Sequence, residues 1–436
     1  MLFNKVFRGV SILIISLFVL VSCSTDDDPL LEKEVEQENP VEEEDEDDGV
    51  EEEDSTKDIV WPLNTPKLSV DGRYLKNSCG EEVLLHGVAM TPNPWFNGGH
   101  VGEWRWNNYD VQGALNYNKS VMDKLTNKDD DGWYLNMVRL HIDPYWSNNP
   151  GAEVDGENDI SEFNFERFVK GVNEVILPLI EHAKSSGMYV IIRPPGVCPE
   201  RIDVDDEYHE YLKIVWDYLS QLEELKNSEH VMFELANEPI QILGTNGEWG
   251  SNTQPHFDKL KLFFQPLVDM IRNNGFENVI WIPGSGYQSH FKGYANNPIE
   301  GDNIGYAIHI YPGYWGEDNN DPVTFRSNWV ENIKPVADIA PVAITEIDWA
   351  PVGYTAWGQG GVTGEPGAWG FGANFKALAD ESGNVSWNLL APENLIDRGD
   401  PEGGIAYDNN PEACANAVHK WFGEYAEEKK NCENYE

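Results

Sequence analysis

The sequence predicts an α/β fold, a (β/α)8 TIM barrel preceded by an export segment and an acidic linker. Two observations carry that expectation. From residue 83 onward, short apolar runs alternate with longer amphipathic stretches, the pattern of βα units around a parallel sheet. Eight such runs can be counted, and polar side chains gather at their ends, where a barrel of this kind keeps its chemistry. Residues 60–436 are long for one sandwich but suit one large barrel with insertions.

Charge and composition narrow the partners. The 436 residues include 76 Asp and Glu against 30 Lys and Arg, a formal net charge of −46. So acidic a surface disfavours nucleic acid and anionic membranes as partners. Sixteen Trp and eighteen Tyr are many for this length. Aromatic rings set among carboxylates suit neutral, hydroxyl-rich ligands, because sugar C–H faces stack on rings while hydroxyls bond carboxylates and amides.

Residues 1–22 are expected to be a signal peptide. Lys5 and Arg8 form a charged start, and Val10–Val21 is an apolar run too short to span a bilayer as a helix. The segment ends in Leu20-Val21-Ser22-Cys23, which resembles the lipobox of bacterial lipoproteins, and that resemblance implies a lipid on Cys23. The following Ser24-Thr25-Asp26-Asp27-Asp28 is similar to the acidic signal that sends such lipoproteins to the outer face in Bacteroidetes-type bacteria. Residues 26–54 hold 18 acidic side chains and the single Lys33, a net of −17. Such a stretch cannot bury enough apolar surface to offset the entropy of ordering, so residues 23–59 read as an extended, self-repelling tether. An exported chain can form disulfides, and Cys79, Cys198, Cys414 and Cys432 allow three pairings. Cys198 follows a strand-like run and reads as a buried free thiol.

The expected barrel strands are Val83–Met90, Asn136–Ile142, Met188–Pro194, Val231–Asn237, Asn278–Pro283, Ile304–Tyr311, Pro341–Ile347 and Asn384–Leu390. Expected helices are Phe165–Ser186, Tyr208–Leu225, Phe257–Asn273, Phe325–Ala337, Asn374–Asp380 and Pro411–Tyr425. In the first of these, Phe168, Val172, Ile176, Leu179 and Ala183 recur at helical period, and Gly187 marks the stop. The stretch 286–303 is short and irregular. Asn127–Gly132 imitates the start of a calcium loop, but its twelfth position is Val138 rather than Glu. It reads as a solvated turn, and no metal or other cofactor is expected.

The strand ends carry the chemistry. Run two ends at Arg139 and His141, run four at Asn237-Glu238-Pro239, run six at His309-Ile310-Tyr311, run seven at Thr345-Glu346-Ile347-Asp348, and run eight carries Trp387. Two carboxylates from opposite sides of a barrel, ringed by aromatics, Asn, His and Arg, suit glycoside hydrolysis. There one carboxyl must be protonated and the other ionised. Over about residues 66–436 the chain resembles glycoside hydrolase family 5, through Asn-Glu-Pro after strand four and a second Glu ending strand seven. The resemblance implies Glu238 as acid/base and Glu346 as nucleophile. It implies that Asn237 binds the sugar 2-hydroxyl, Arg139 and Tyr311 hold Glu346, His309 sits beside Glu238, and Trp387 forms the platform under the sugar in subsite −1. It also implies retention of configuration, which needs the carboxyls about 5–5.5 Å apart.

Physically, Arg139 should lower the pKa of Glu346, and an anionic Glu346 should raise that of Glu238. Where many relatives carry Asp or His after strand three, this chain reads Ile192-Arg193-Pro194-Pro195-Gly196. Arg193 would orient a carboxylate, bind substrate or pair with an acidic loop residue. His86 and His141 read equally as cleft residues or as core histidines bonded to backbone. Trp95, Trp104, Trp106, Trp146, Tyr314, Trp315, Trp349 and Trp357 fall in loops over the expected cleft and are candidate stacking platforms. The leading expectation is a monomeric, surface-displayed retaining endo-β-glycanase. Its substrate would be a β-1,4-linked polysaccharide, cellulose-like or mixed-linkage glucan first and mannan as the alternative. A non-catalytic glycan-binding lipoprotein is the rival from another class.

Overall fold

The computed structural model describes residues 64–90, 110–126, 133–142, 160, 163–312, 321–347, 370–390, 392, 395–396 and 411–427, all within the unit Ser55–Glu436. The signal segment, Cys23, the tether, the calcium-like turn, Cys432 and the eight loop aromatics named above lie outside the described residues.

Eight parallel strands close into a barrel. In order around it they are His86–Met90 (strand one), Met137–His141 (two), Tyr189–Arg193 (three), Val231–Glu234 (four), Ile280–Pro283 (five), Ile304–His309 (six), Val342–Ile347 (seven) and Val385–Leu389 (eight), which pairs back onto strand one. Every expected run therefore forms a strand, trimmed by one to three residues at most ends. Parallel strands need crossovers, and the amphipathic stretches supply them. Side chains at the helical period of Phe165–Ser185 (Phe168, Val172, Ile176, Leu179 and Ala183) are buried against the sheet. That helix carries a π-turn at Val172–Ile176. Gly187 takes φ +76°, open to glycine at little steric cost, and ends the helix where the pattern expects it.

Helix starts follow local capping chemistry. The Asp206 carboxylate accepts from His209 N at 2.7 Å ahead of Glu207–Gln221. Asp321 accepts from Thr324 N at 2.9 Å ahead of Pro322–Asn332. Asp110 accepts from Gly113 N at 2.9 Å ahead of Val111–Leu125, a helix the sequence reading does not assign. Between strands five and six there is only a short turn of 3-10 helix, Lys292–Ala295, in keeping with the irregular sequence there. Of the cysteines, Cys198 is buried and free, as expected, and Cys79 is disulfide-bonded.

The barrel interior has an apolar floor. Leu85, Met137, Tyr189, Ile191, Met232, Val279, Trp281, Ala307 and Ala343 fill it. Trp281 has room because Gly305 lies beside it on strand six. A Cβ on Gly305 would stand 2.4 Å from the indole. A two-stranded hairpin, Ser69–Asp71 and Tyr74–Lys76, closes the floor from below through Leu68 and Leu75, with Tyr189 donating to the Pro66 carbonyl at 2.7 Å. At the opposite end, a three-stranded sheet joins the loops after strands three and four: Arg201–Ile202, Gln241–Leu243 and Trp249–Gly250.

Candidate active site

Above the floor, the same strands turn to charge. Arg139, two residues beyond Met137 on strand two, is fully buried. Its Nε donates to Glu234 at 2.5 Å, its Nη1 to Glu346 at 2.7 Å and its Nη2 to the Asn237 side-chain oxygen at 2.8 Å. An Arg buried without partners would be prohibitively costly, so two carboxylates and an amide around one guanidinium make a coherent set. Burial alone would lower its pKa. The charges of Glu234 and Glu346 overcome that and leave it raised.

Glu346 reaches the site through a break in the sheet. The register between strands six and seven shifts at Ile308/His309, and that between seven and eight shifts between Ile344 and Ile347. In a regular strand, consecutive side chains face opposite ways. Here Thr345 bonds Glu234 at 2.7 Å while its neighbour Glu346 bonds Arg139, so the irregularity turns both inward. Tyr311 donates to the other Glu346 oxygen. Burial pushes the Glu346 carboxyl up, but the His309 imidazole, the Arg139 guanidinium and the Tyr311 hydroxyl outweigh it and bring it down to about 2. It is ionised at neutral pH.

Glu238 is placed differently. It follows strand four in a left-handed conformation, φ +57°, unusual for a residue with a side chain. Its side chain is 27% exposed, against 6% for Glu346. His309 lies between them, Nδ1 3.2 Å from a Glu238 oxygen and 3.4 Å from a Glu346 oxygen. The buried Nε2 has no hydrogen-bond partner among the described residues. In the neutral ring the proton therefore belongs on Nδ1, where two acceptors wait. One oxygen of each glutamate and a ring nitrogen of His309 all lie within 4.8 Å of one another. Those three donors are also the set among the described residues able to hold a metal ion.

Two further groups, which the sequence reading passes over, join the carboxylates to each other. Glu234 is fully buried and accepts from Gln288 Nε2 at 2.6 Å, besides Arg139 and Thr345. Gln288 Oε1 accepts from the Glu238 backbone N–H at 3.0 Å. The amide can face only one way, because the Glu234 oxygens accept, from Arg139 and Thr345 as well, and a backbone N–H donates. Glu234 thus holds Gln288, and Gln288 holds the strained Glu238. A glutamate inside the apolar run of strand four was the available signal for Glu234. Gln288 sits in an irregular loop and left none.

Of the expected site residues, Arg139, Asn237, Glu238, His309, Tyr311 and Glu346 converge. Trp387 does not. It is 1% exposed and lies on the outer side of strand eight, among Phe375, Trp421, Phe422 and Tyr425, with its indole N–H on the Tyr425 hydroxyl at 3.3 Å. Its polar neighbours Ser386 and Asn388 bond Leu85 N and Thr345 O instead. Strand alternation therefore places Trp387 against the helices, where it cannot underlie a sugar.

His141 does join the site, 3.2 Å from Arg139 Nη1 and 2.9 Å from Arg193 Nη2. Burial, then the two guanidiniums, hold its pKa well below the usual value, so it stays neutral. Arg193 also ties down the loop after strand three through the carbonyls of Pro194 and Gly196, at 3.1 and 2.5 Å. His86 is a core histidine, bonded to the Tyr134 carbonyl at 2.8 Å and packed on Phe422.

The family model for cellulases of glycosyl hydrolase family 5 matches residues 100–350, more than half of the chain. The chain belongs to glycosyl hydrolase family 5. Both glutamates fall inside the matched segment. Endoglucanase C of Evansella cellulosilytica is 26% identical over 336 residues, covering 73% of this chain and 35% of that protein. An endoglucanase of a Bacillus species is 26% identical over 265 residues, 58% of this chain and 24% of its own. The chain thus spans about a quarter to a third of the length of these two relatives. Among solved structures, a β-glucanase from Saccharophagus degradans superposes with TM-score 0.55 at 19% identity, covering 85% of this chain and 98% of that one. The catalytic domain of a Thermobifida fusca endoglucanase gives 0.52 at 19% identity, covering 82% and 98%. These likenesses establish the (β/α)8 barrel fold.

Proposed function

We propose that this family 5 protein is a retaining endo-β-1,4-glucanase acting on cellulose-like or mixed-linkage glucan. The observation that carries the reading is the asymmetry of the two carboxyls. Glu346 is buried, charge-compensated and depressed to about 2. Glu238 stands open to the cleft, with an oxygen within 4.8 Å of one on Glu346. That closeness suits direct attack on the sugar by one carboxylate while the other serves as acid, the arrangement of a retaining pair.

In the proposed reaction a Glu346 oxygen attacks the anomeric carbon while Glu238 gives its proton to the glycosidic oxygen, and the leaving sugar departs. Glu238, now ionised, takes a proton from water as that water attacks the anomeric carbon, and Glu346 is released as carboxylate. Asn237 has its carbonyl committed to Arg139, which leaves its N–H groups to meet a sugar hydroxyl. The relatives' printed names, endoglucanase and β-glucanase, support glucan as substrate.

We also propose that residues 1–22 direct export, that Cys23 carries a lipid, and that 23–59 tether the barrel at the outer membrane surface. Labelled palmitate should be incorporated by the wild type and not by Cys23→Ala.

The decisive experiment measures reducing-sugar release from carboxymethyl cellulose, mixed-linkage glucan, glucomannan and xyloglucan, with proton NMR of the first-formed anomer. Release from the glucans with retention is expected, and Glu346→Gln should lose roughly 10⁴-fold or more in kcat. Inversion, or a preference for mannan, would overturn the respective half of the proposal. A wild type that binds glycan without turnover would make it a binding protein.

A further inference from the structure

The small sheet at the mouth of the barrel has two unlike faces. Arg201 pairs with Gln241 and Leu243 with Trp249, while Ile202 and Ile242 lie in register between them. Residues directly opposite one another share a face, and alternate residues along a strand share it too. Arg201, Gln241, Leu243 and Trp249 therefore form one side, while Ile202 and Ile242 on the other are fully buried in the core. Trp249 is 41% exposed. The Arg201 guanidinium reaches across the middle strand to lie 5.3 Å from the centre of its ring.

Two features of this face suit it to a ligand. In a chain with 76 acidic side chains, Arg201 meets no carboxylate among the described residues and spends its charge on the Trp249 ring. The Gln241 amide, partly buried, also has no hydrogen-bond partner among them. An exposed indole with a guanidinium over its ring and, on the same side of the sheet, an amide without a partner among the described residues offers what a sugar ring uses: a flat apolar surface with donors and an acceptor close by.

The face is continuous with the reacting centre. Gln241 follows Glu238 by three residues, a reach of about 10 Å at most. The loop carrying Gln288 is stitched to this sheet by Gly286 N on the Ile240 carbonyl at 2.9 Å, Ser285 Oγ on the Ser251 carbonyl at 2.8 Å and His290 Nδ1 by Ser251 Oγ at 3.1 Å. The oxygen protonated by Glu238 stays with the departing sugar, so the leaving portion of the chain passes the loop of Glu238 itself.

We propose that the Arg201–Gln241–Leu243–Trp249 face is a distal binding platform for the leaving-group side of a neutral β-linked glycan, with Trp249 as its stacking surface. The platform makes the enzyme favour long chains. It rests on the glucanase reading for the direction of the chain, but not for the existence of the site.

Two measurements test it on the full chain. Binding of β-1,4-linked glucohexaose and glucotriose is followed by calorimetry in the Glu346→Gln background, which needs no turnover. Trp249→Ala should weaken hexaose binding about tenfold relative to triose, and Trp249→Phe, which keeps a ring, should recover most of it. With the reducing end of the hexaose labelled, Trp249→Ala in the active enzyme should shift the favoured cleavage toward that end, since the leaving side has lost its hold. Equal losses on both lengths, no loss, or a shift toward the non-reducing end would overturn the proposal. Should the wild type release no sugar while Trp249→Ala still weakens hexaose binding, the proposed reaction fails and the platform stands.

Discussion

The two halves of the barrel interior are built from the same strands, two residues apart. Met137 and Arg139 share a face of strand two, Ile191 and Arg193 one of strand three, Met232 and Glu234 one of strand four, and Ala307 and His309 one of strand six. Below, the side chains are apolar and close-packed, and they contribute stability by leaving water. Above, they are polar or charged and are held by one another: Arg139 by Glu234 and Glu346, and Arg193 by His141 and two loop carbonyls. Floor substitutions should therefore change stability and leave the chemistry's pH dependence alone, whereas site substitutions should move that dependence.

The strongest break in that contrast is Arg139→Gln, which strands Glu234 and Glu346 together in the interior. A loss of about 3–5 kcal/mol of stability is expected in urea unfolding, together with near-complete loss of turnover. The sign of the pH effect follows from Glu346. Its folded pKa of about 2 lies below the ordinary 4.5. The associated stability is thus complete above about pH 4.5 and lost as pH falls through 2. Removing the guanidinium raises that pKa, so the acid limb of kcat/KM moves to higher pH.

Met232→Ala, in the floor, should cost about 2–5 kcal/mol with the pH profile of kcat/KM unmoved. A shifted acid limb would mean that floor and site are not separable. Tyr311→Phe removes one hydrogen bond to an ionised carboxylate, worth about 1.5–3 kcal/mol. Activity should fall about 10- to 100-fold, and the acid limb should rise as in Arg139→Gln but by less. Smallest is Trp387→Phe. It forfeits the bond to Tyr425, about 1 kcal/mol, lowering Tm slightly with KM unchanged. A marked rise in KM would restore Trp387 to the cleft.

Much of the architecture was legible because it repeats. Eight apolar runs and the helical spacing after Phe165 are local patterns that packing then confirms. Two of the missed pieces, the hairpin Ser69–Lys76 and the mouth sheet with strands of two and three residues, have too few residues to show a period. The third, the helix Val111–Leu125, is long enough, but Gly113, Asn116 and Asn118 lower its propensity. Trp387 is more instructive. Val385, Trp387 and Leu389 alternate with Ser386 and Asn388, so the sequence did hold the clue that the tryptophan shares the apolar, helix-facing side.

Residue type and spacing alone determined the strands and their order of charge and apolarity, and they marked the two strand-end glutamates to which the family resemblance gives roles, because alternation along a strand and the position of a strand's end are properties of the chain itself. Which oxygen meets which partner was decided only by closure of the barrel. The offset of Thr345 and Glu346, the amide of Gln288 beneath Glu238, and the crossing of Arg201 over Trp249 all join segments distant in sequence. Their geometry depends on sheet register and loop packing, and neither exists until the whole barrel has formed.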